Sequence, residues 1–90
     1  MLGEKDRCFI CGSSYWLDCH HCLEGGTSGR RKQSDIHGLT VMLCRNCHNE
    51  VHAKPNQGKD LYLKQTAQEY YEANIGTRED FRRDFIKSYL

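Results

Sequence analysis

The sequence predicts a small α+β domain folded around bound metal: two short strands and a helix stapled by zinc, followed by two further helices. Three observations predict it. The chain has 90 residues, only 38% of them apolar, and a mean hydropathy of −0.78. A core that small needs a disulfide, a metal or a partner chain to hold it. Six Cys and five His are present, and all of them lie within residues 8–53. Residues 58–90 contain neither and are rich in helix formers.

One domain is the expectation for this length, with a metal-stapled head over residues 8–53 and a helical extension over 58–90. The start, Met1 to Arg7, turns charged at once and no apolar run follows, so no signal peptide is expected. Nor does any stretch approach the roughly 20 apolar residues of a membrane span. An intracellular location follows as the expectation, and there paired cysteines read as metal ligands before disulfides. The 13 basic and 12 acidic residues give a net charge of +1. That balance says little about partners, since a local basic patch and a bound cation suffice for nucleic acid.

Taken in order, Cys8-Phe9-Ile10-Cys11-Gly12 reads as a knuckle, a tight turn presenting two thiolates. Tyr15-Trp16-Leu17 begins a short strand that runs into Asp18-Cys19-His20-His21-Cys22. Leu23 to His37 is rich in Gly, Ser and charge and reads as a loop. Leu39 to Leu43 is the clearest strand, bounded by Gly38. Cys44 to His52 reads as a second knuckle entering a short helix that stops before Pro55. Beyond it, Leu63, Ala67, Tyr70, Tyr71 and Asn74 fall at helical spacing. Thr77-Arg78-Glu79-Asp80 carries a capping signature, and Phe81, Phe85, Ile86, Tyr89 and Leu90 form one apolar helix face after it.

Three C-x-x-C pairs are present, Cys8/Cys11, Cys19/Cys22 and Cys44/Cys47. Two intervening residues let both thiolates of a turn reach one ion at about 2.3 Å, and two such turns complete a tetrahedral zinc site. Cys8/Cys11 with Cys44/Cys47 ties the chain start to the helix, whereas Cys8/Cys11 with Cys19/Cys22 makes a compact local site. The first pairing constrains the whole head and is favoured. Cys19 and Cys22 then act as small, partly buried residues. A redox role fits poorly, because no βαβ pattern surrounds any pair.

The histidines form a second constellation. His20 and His21 are neighbours on a strand, so their side chains point to opposite faces; one can ligate a metal while the other faces a substrate. His48 and His52, four apart, stack on one helix face and can chelate a single ion. His20, His48 and His52 supply three nitrogen donors and leave positions open for water and a phosphate oxygen, the profile of a reactive site.

At these residues the chain resembles the HNH (ββα-metal) endonucleases. Asp18-Cys19-His20-His21, the Gly-rich loop, the strand Gly38 to Leu43, and Cys44-Arg45-Asn46-Cys47-His48-x-x-x-His52 carry the likeness over residues 8–53. The phage-encoded branch is the most similar, and Phe81 to Leu90 also looks like the end of such proteins. The resemblance implies a metal-dependent enzyme that hydrolyses DNA phosphodiesters. It implies His20, His48 and His52 as ligands of the catalytic ion and His21 as the general base. It also implies Cys8, Cys11, Cys44 and Cys47 around a structural Zn²⁺. Mg²⁺, Mn²⁺, Ni²⁺ and Zn²⁺ all suit the catalytic position. DNA is the implied partner, beside other phage packaging or replication proteins, in the cytoplasm of a bacterial host. The Asn that gives the family its middle letter is missing, because Gly38-Leu39-Thr40 stands there and Asn46 and Asn49 come too late.

Arg30-Arg31-Lys32 is the only run of three basic residues; it reads either as a phosphate contact or as a solvated loop. Arg45 is a further candidate of the same kind. Trp16 and the tyrosines are expected to pack rather than to stack on bases. The rival to catalysis is a zinc-binding module that docks on nucleic acid, or serves in phage assembly, without cutting.

Overall fold

The computed structural model describes residues 1–23, 34, 36–85 and 88–90. Its strands are β1 (Leu17–His21) and β2 (Thr40–Cys44), and its helices are α1 (Arg45–Ala53), α2 (Gly58–Asn74) and α3 (Arg78–Phe85). The chain is thus a small α+β domain with one two-stranded antiparallel sheet and three helices among the described elements. The basic run Arg30-Arg31-Lys32, most of the Gly-rich loop, and Ile86 lie outside the described residues.

The hairpin sets the register of everything near the ligands. Leu17 pairs with Cys44, Asp18 with Leu43, Cys19 with Met42, His20 with Val41 and His21 with Thr40. Val41 and Leu43, alternating on β2, are fully buried, as a half-buried strand requires. The Cys22 N–H donates to the Leu39 carbonyl at 3.1 Å, which braces the hairpin just beyond β1. On the other side of β2, Leu2 N–H reaches Thr40 O at 2.7 Å and Phe9 N–H reaches Met42 O at 2.8 Å. Gly38 enters the strand at φ +69°, and a Cβ there would stand 3.1 Å from the Met1 nitrogen.

Two expectations are corrected at β1. The strand starts at Leu17, not Tyr15, because Trp16 sits at φ +55° and turns the chain out of the extended conformation. Trp16 therefore does not pack; it and Tyr15 are each 74% exposed, and Tyr62 and Tyr70 are exposed as well. Tyr71 packs, 1% exposed in the core, and Tyr89 lies partly buried against that core.

Helix α1 starts where Cys44 accepts a hydrogen bond from the Cys47 N–H and ends before Pro55, which disfavours helix at the residue preceding it. On α2 the expected apolar positions Leu63, Ala67 and Tyr71 are buried, while Tyr70 and Asn74 are exposed. The buried row also includes Asp60, Lys64 and Gln68, each with a partner. Lys64 pairs with Asp60 at 2.9 Å and donates to Asn56 Oδ1 at 2.7 Å. Gln68 donates to Ser88 Oγ at 2.8 Å and accepts from the Tyr89 N–H at 2.7 Å. That tether ties Ser88 and Tyr89 to α2, and residues 88–90 are not helical.

One core cluster joins Cys8, Leu43 and Val51 of the head with Leu63, Tyr71, Phe81 and Phe85 of the helices. Tyr71 meets Phe81 edge-on, centroids 5.3 Å apart, an arrangement the ring quadrupoles favour. Burial, then the neighbouring Asp84 carboxylate, pushes the Tyr71 phenol up to about 12. Its hydroxyl donates to Asp84 at 2.7 Å, and His37 reaches the same Asp84 oxygen at 3.3 Å. This small network ties the approach to β2 to both C-terminal helices.

Candidate metal centre

Helix α1 serves two ligand clusters at once. At its N-terminus, Cys44 and Cys47 meet the knuckle of Cys8 and Cys11. One turn further on, His48 and His52 meet His20 from β1. Within each cluster the possible ligand atoms all lie within 4.8 Å of one another.

The four sulfurs have the local geometry of two matched knuckles. Cys11 N–H points to Cys8 Sγ at 3.5 Å, and Cys47 N–H points to Cys44 Sγ at 3.5 Å. Gly12, at φ +78°, closes the first turn in a conformation that suits glycine. Cys11 Sγ stands 3.6 Å from Cys44 Sγ. A disulfide would need about 2.05 Å, whereas sulfurs at tetrahedral corners about 2.3 Å from an ion are about 3.8 Å apart. Cys8, Cys44 and Cys47 are buried and Cys11 is exposed. The cluster fits a structural metal such as zinc.

Electrostatics agrees with sulfurs that share charge in a small volume. Burial pushes the Cys8 thiol up, but backbone groups of Cys11, Cys44 and Ile10 more than offset this and hold it at about 6. The Ser13 backbone lowers Cys11, yet the thiols of Cys44 and Cys8 raise it on balance. Burial first, then the three neighbouring thiols, raises Cys47. Cys8 is thus lowered while Cys11 and Cys47 are raised, and a divalent cation at the cluster would favour the thiolate of each.

The histidine cluster has the opposite character. Its rings converge, with centroids 5.3 Å apart for His20 and His48, 5.5 Å for His20 and His52, and 4.7 Å for His48 and His52. His48 Nε2 and His52 Nε2 face each other at 3.0 Å, near the roughly 3.3 Å edge of a tetrahedron with nitrogens about 2.0 Å from an ion. His20 is buried, His48 half-buried and His52 exposed, so the cluster opens to solvent on the helix side. Asp18 Oδ2 lies 3.3 Å from His48 Nδ1. A carboxylate on the far ring nitrogen keeps the proton there and leaves Nε2 as a lone-pair donor, the usual partner of a ligating histidine. On these grounds the residues fit a divalent ion.

Of the residues singled out in the sequence, the structure brings the two ligand sets together and leaves others apart. Cys19 is exposed and Cys22 buried; neither joins Cys8 and Cys11, so the compact local pairing is not the one formed. His21, 8% exposed, ends β1 with its Cβ on the face opposite to that of His20. Arg45 is exposed, its guanidinium 3.9 Å from Asp18. Asn46 and Asn49 are exposed on α1. Asp18 went unassigned in the sequence reading, though its spacing from His20 held the signal, since strand residues two apart share a face.

No family model, curated protein or solved structure matches the chain. Among the described residues, no helix is long and apolar enough to cross a membrane.

Proposed function

We propose that this chain is a metal-dependent DNA endonuclease of the HNH type, with the hairpin and α1 as its ββα-metal unit. The observation that carries the reading is the pairing of two unlike clusters on one helix. Four sulfurs account for a closed structural site, whereas three imidazoles with a solvent-facing side leave room for water and substrate. The second cluster has no structural need of its own once the first is filled.

In this reading His20, His48 and His52 hold the ion, and Asp18 orients His48. When bound, the ion supplies Lewis acidity to the charge that grows on the phosphate and on the leaving oxygen. His21 takes the proton of the attacking water as the new P–O bond forms and the old one breaks. An imidazole is the side chain whose ordinary titration range suits that exchange at neutral pH. Arg45 meets the substrate backbone, as does the basic run Arg30-Arg31-Lys32.

The test is plasmid cleavage by the full chain with Mg²⁺, Mn²⁺, Ni²⁺ or Zn²⁺, beside metal analysis. Nicking or linearisation is expected with at least one ion, and two ions per folded chain. His21→Ala is expected to fold and retain both ions yet lose cleavage by a factor of about 10² or more, as for a lost general base. Absence of cutting with all four ions would leave a zinc-binding module that docks without hydrolysis. Undiminished cutting by His21→Ala would move the base to another residue.

A further inference from the structure

An open groove of about 450 Å³ takes in three cysteines of the sulfur cluster and is lined beyond them in part by Tyr15, Trp16, Arg45, Glu50 and Lys59. Its size falls in the range of about 300–1,000 Å³ found for clefts that hold small ligands or single ligand groups. Neither ligand cluster uses its aromatic wall. Trp16 and Tyr15 are each 74% exposed although they adjoin a buried hairpin. Trp16 also holds φ +55°, an outlier for so bulky a residue. Such strain persists where the surrounding structure fixes it, and it concentrates at ligand-holding positions.

The charge beside the ring points to the ligand. The Arg45 guanidinium carbon stands 5.6 Å from the Trp16 ring centroid, within cation–π range. Lys59 is paired with Glu50 across the groove, so its charge is compensated. Arg45 pairs with Asp18 loosely, at 3.9 Å, and its side chain is 62% exposed, which leaves donors of its fork for an anion. Asp18 in turn holds His48 at 3.3 Å. Trp16 therefore lies two positions before the residue whose carboxylate orients a ligand of the histidine cluster.

We infer that Trp16, beside Tyr15 and backed by Arg45, is a stacking platform for an unpaired nucleobase of a DNA strand, with Arg45 meeting the adjoining phosphate. The inference rests on the nuclease reading and gives it a substrate class. A base inside a duplex has both faces covered by its neighbours, so only an unpaired base offers a π-face to the ring. Single-stranded or frayed DNA is then the substrate that reaches the histidines with one base anchored.

Position 16 holds the only tryptophan of the chain, so intrinsic fluorescence reports on this platform alone. The zinc-loaded full chain is titrated with a single-stranded oligodeoxynucleotide and with a hairpin duplex of the same sequence. Expected is strong quenching by the single strand and little by the duplex. Anisotropy is expected to show about tenfold weaker single-strand binding for Trp16→Ala, recovery in Trp16→Phe, and equal melting temperatures for all three proteins. Unchanged fluorescence at saturating single strand, equal quenching by duplex, or full affinity in Trp16→Ala would overturn the platform. Plasmid cleavage without quenching sinks the platform and leaves the nuclease standing. Quenching without cleavage under any of the four ions does the reverse.

Discussion

Cys47 and His48 are consecutive residues of one helix, yet they belong to clusters of opposite kind. Cys47 is buried among three other sulfurs from two knuckles, a closed tetrad that joins residue 8 to residue 47. His48 faces two more imidazoles, with His52 on the solvent side. The first cluster offers four sulfurs, enough to complete a tetrahedral site with protein atoms; the second offers three imidazoles among the described residues. The contrast teaches that ligand count and exposure, rather than ligand proximity, separate a closed cluster from an open one. It also has a direction. The sulfur cluster lies at the start of α1, and that helix carries His48 and His52 onward to the second cluster.

That asymmetry makes the largest prediction. Cys47→Ser, or stripping the ion with a chelator, should abolish cooperative thermal unfolding and cleavage together. Structural zinc contributes about 10–16 kcal/mol in small zinc-stapled peptides, more than a domain of this size holds in reserve. His52→Ala should do the reverse. The residue is exposed, so with the histidine cluster empty in both proteins stability should differ by no more than about 0.5 kcal/mol, while in the loaded protein cleavage is lost and metal analysis falls from two ions to one. Equal melting losses in the two variants would erase the distinction between the clusters.

Much of this was legible in the sequence because ligand chemistry is local. A C-x-x-C-Gly turn and a His-x-x-x-His pair each fix their own geometry within five residues, so Cys8, Cys11, Cys44, Cys47, His48 and His52 were readable one motif at a time. The capping signature at Thr77 was legible for the same reason: Thr77 Oγ1 accepts from the Asp80 N–H at 3.2 Å and Asp80 accepts from the Thr77 N–H at 2.9 Å. What failed depended on the backbone or on distant partners. No pattern announces the positive φ that throws Trp16 outward. Nor does periodicity along α3 reveal that Gln68, a polar residue on another helix, holds the Tyr89 backbone outside the helix. Asp18 stands between, visible by alternation once His20 is taken as a ligand.

Asp18 sharpens the comparison on the side of the histidines. Asp18→Asn keeps the size of the side chain but removes the charge that holds the His48 Nδ1 proton. The expected result is a 10- to 100-fold, or roughly 1.4–2.8 kcal/mol, loss of metal affinity at the histidine cluster. The sulfur cluster should keep its ion. Competitive titration with a chromophoric chelator separates the two stoichiometric steps. A change in the tighter step, with the weaker one unmoved, would mean that the two clusters are not independent.

The smallest effect comes from the far end, where folding owes nothing to metal directly. Thr77→Ala removes the acceptor for the Asp80 N–H and should lower stability by about 1 kcal/mol, with both ions and cleavage retained. Asp80→Asn tests the other half of the same box through pH. Hydrogen bonds from the Thr77 backbone, then from its side chain, hold the Asp80 carboxyl below its ordinary value. A group depressed on folding stabilises the native state above its unfolded-state pKa, and that contribution fades as pH falls through the lowered folded-state value. The melting difference between wild type and Asp80→Asn should therefore be complete at neutral pH and close toward strongly acid pH. Because ligand atoms also take up protons in acid and release metal, the comparison is made at matched ion content. A difference that grows on acidification would place the destabilisation in the ligand clusters instead of the cap.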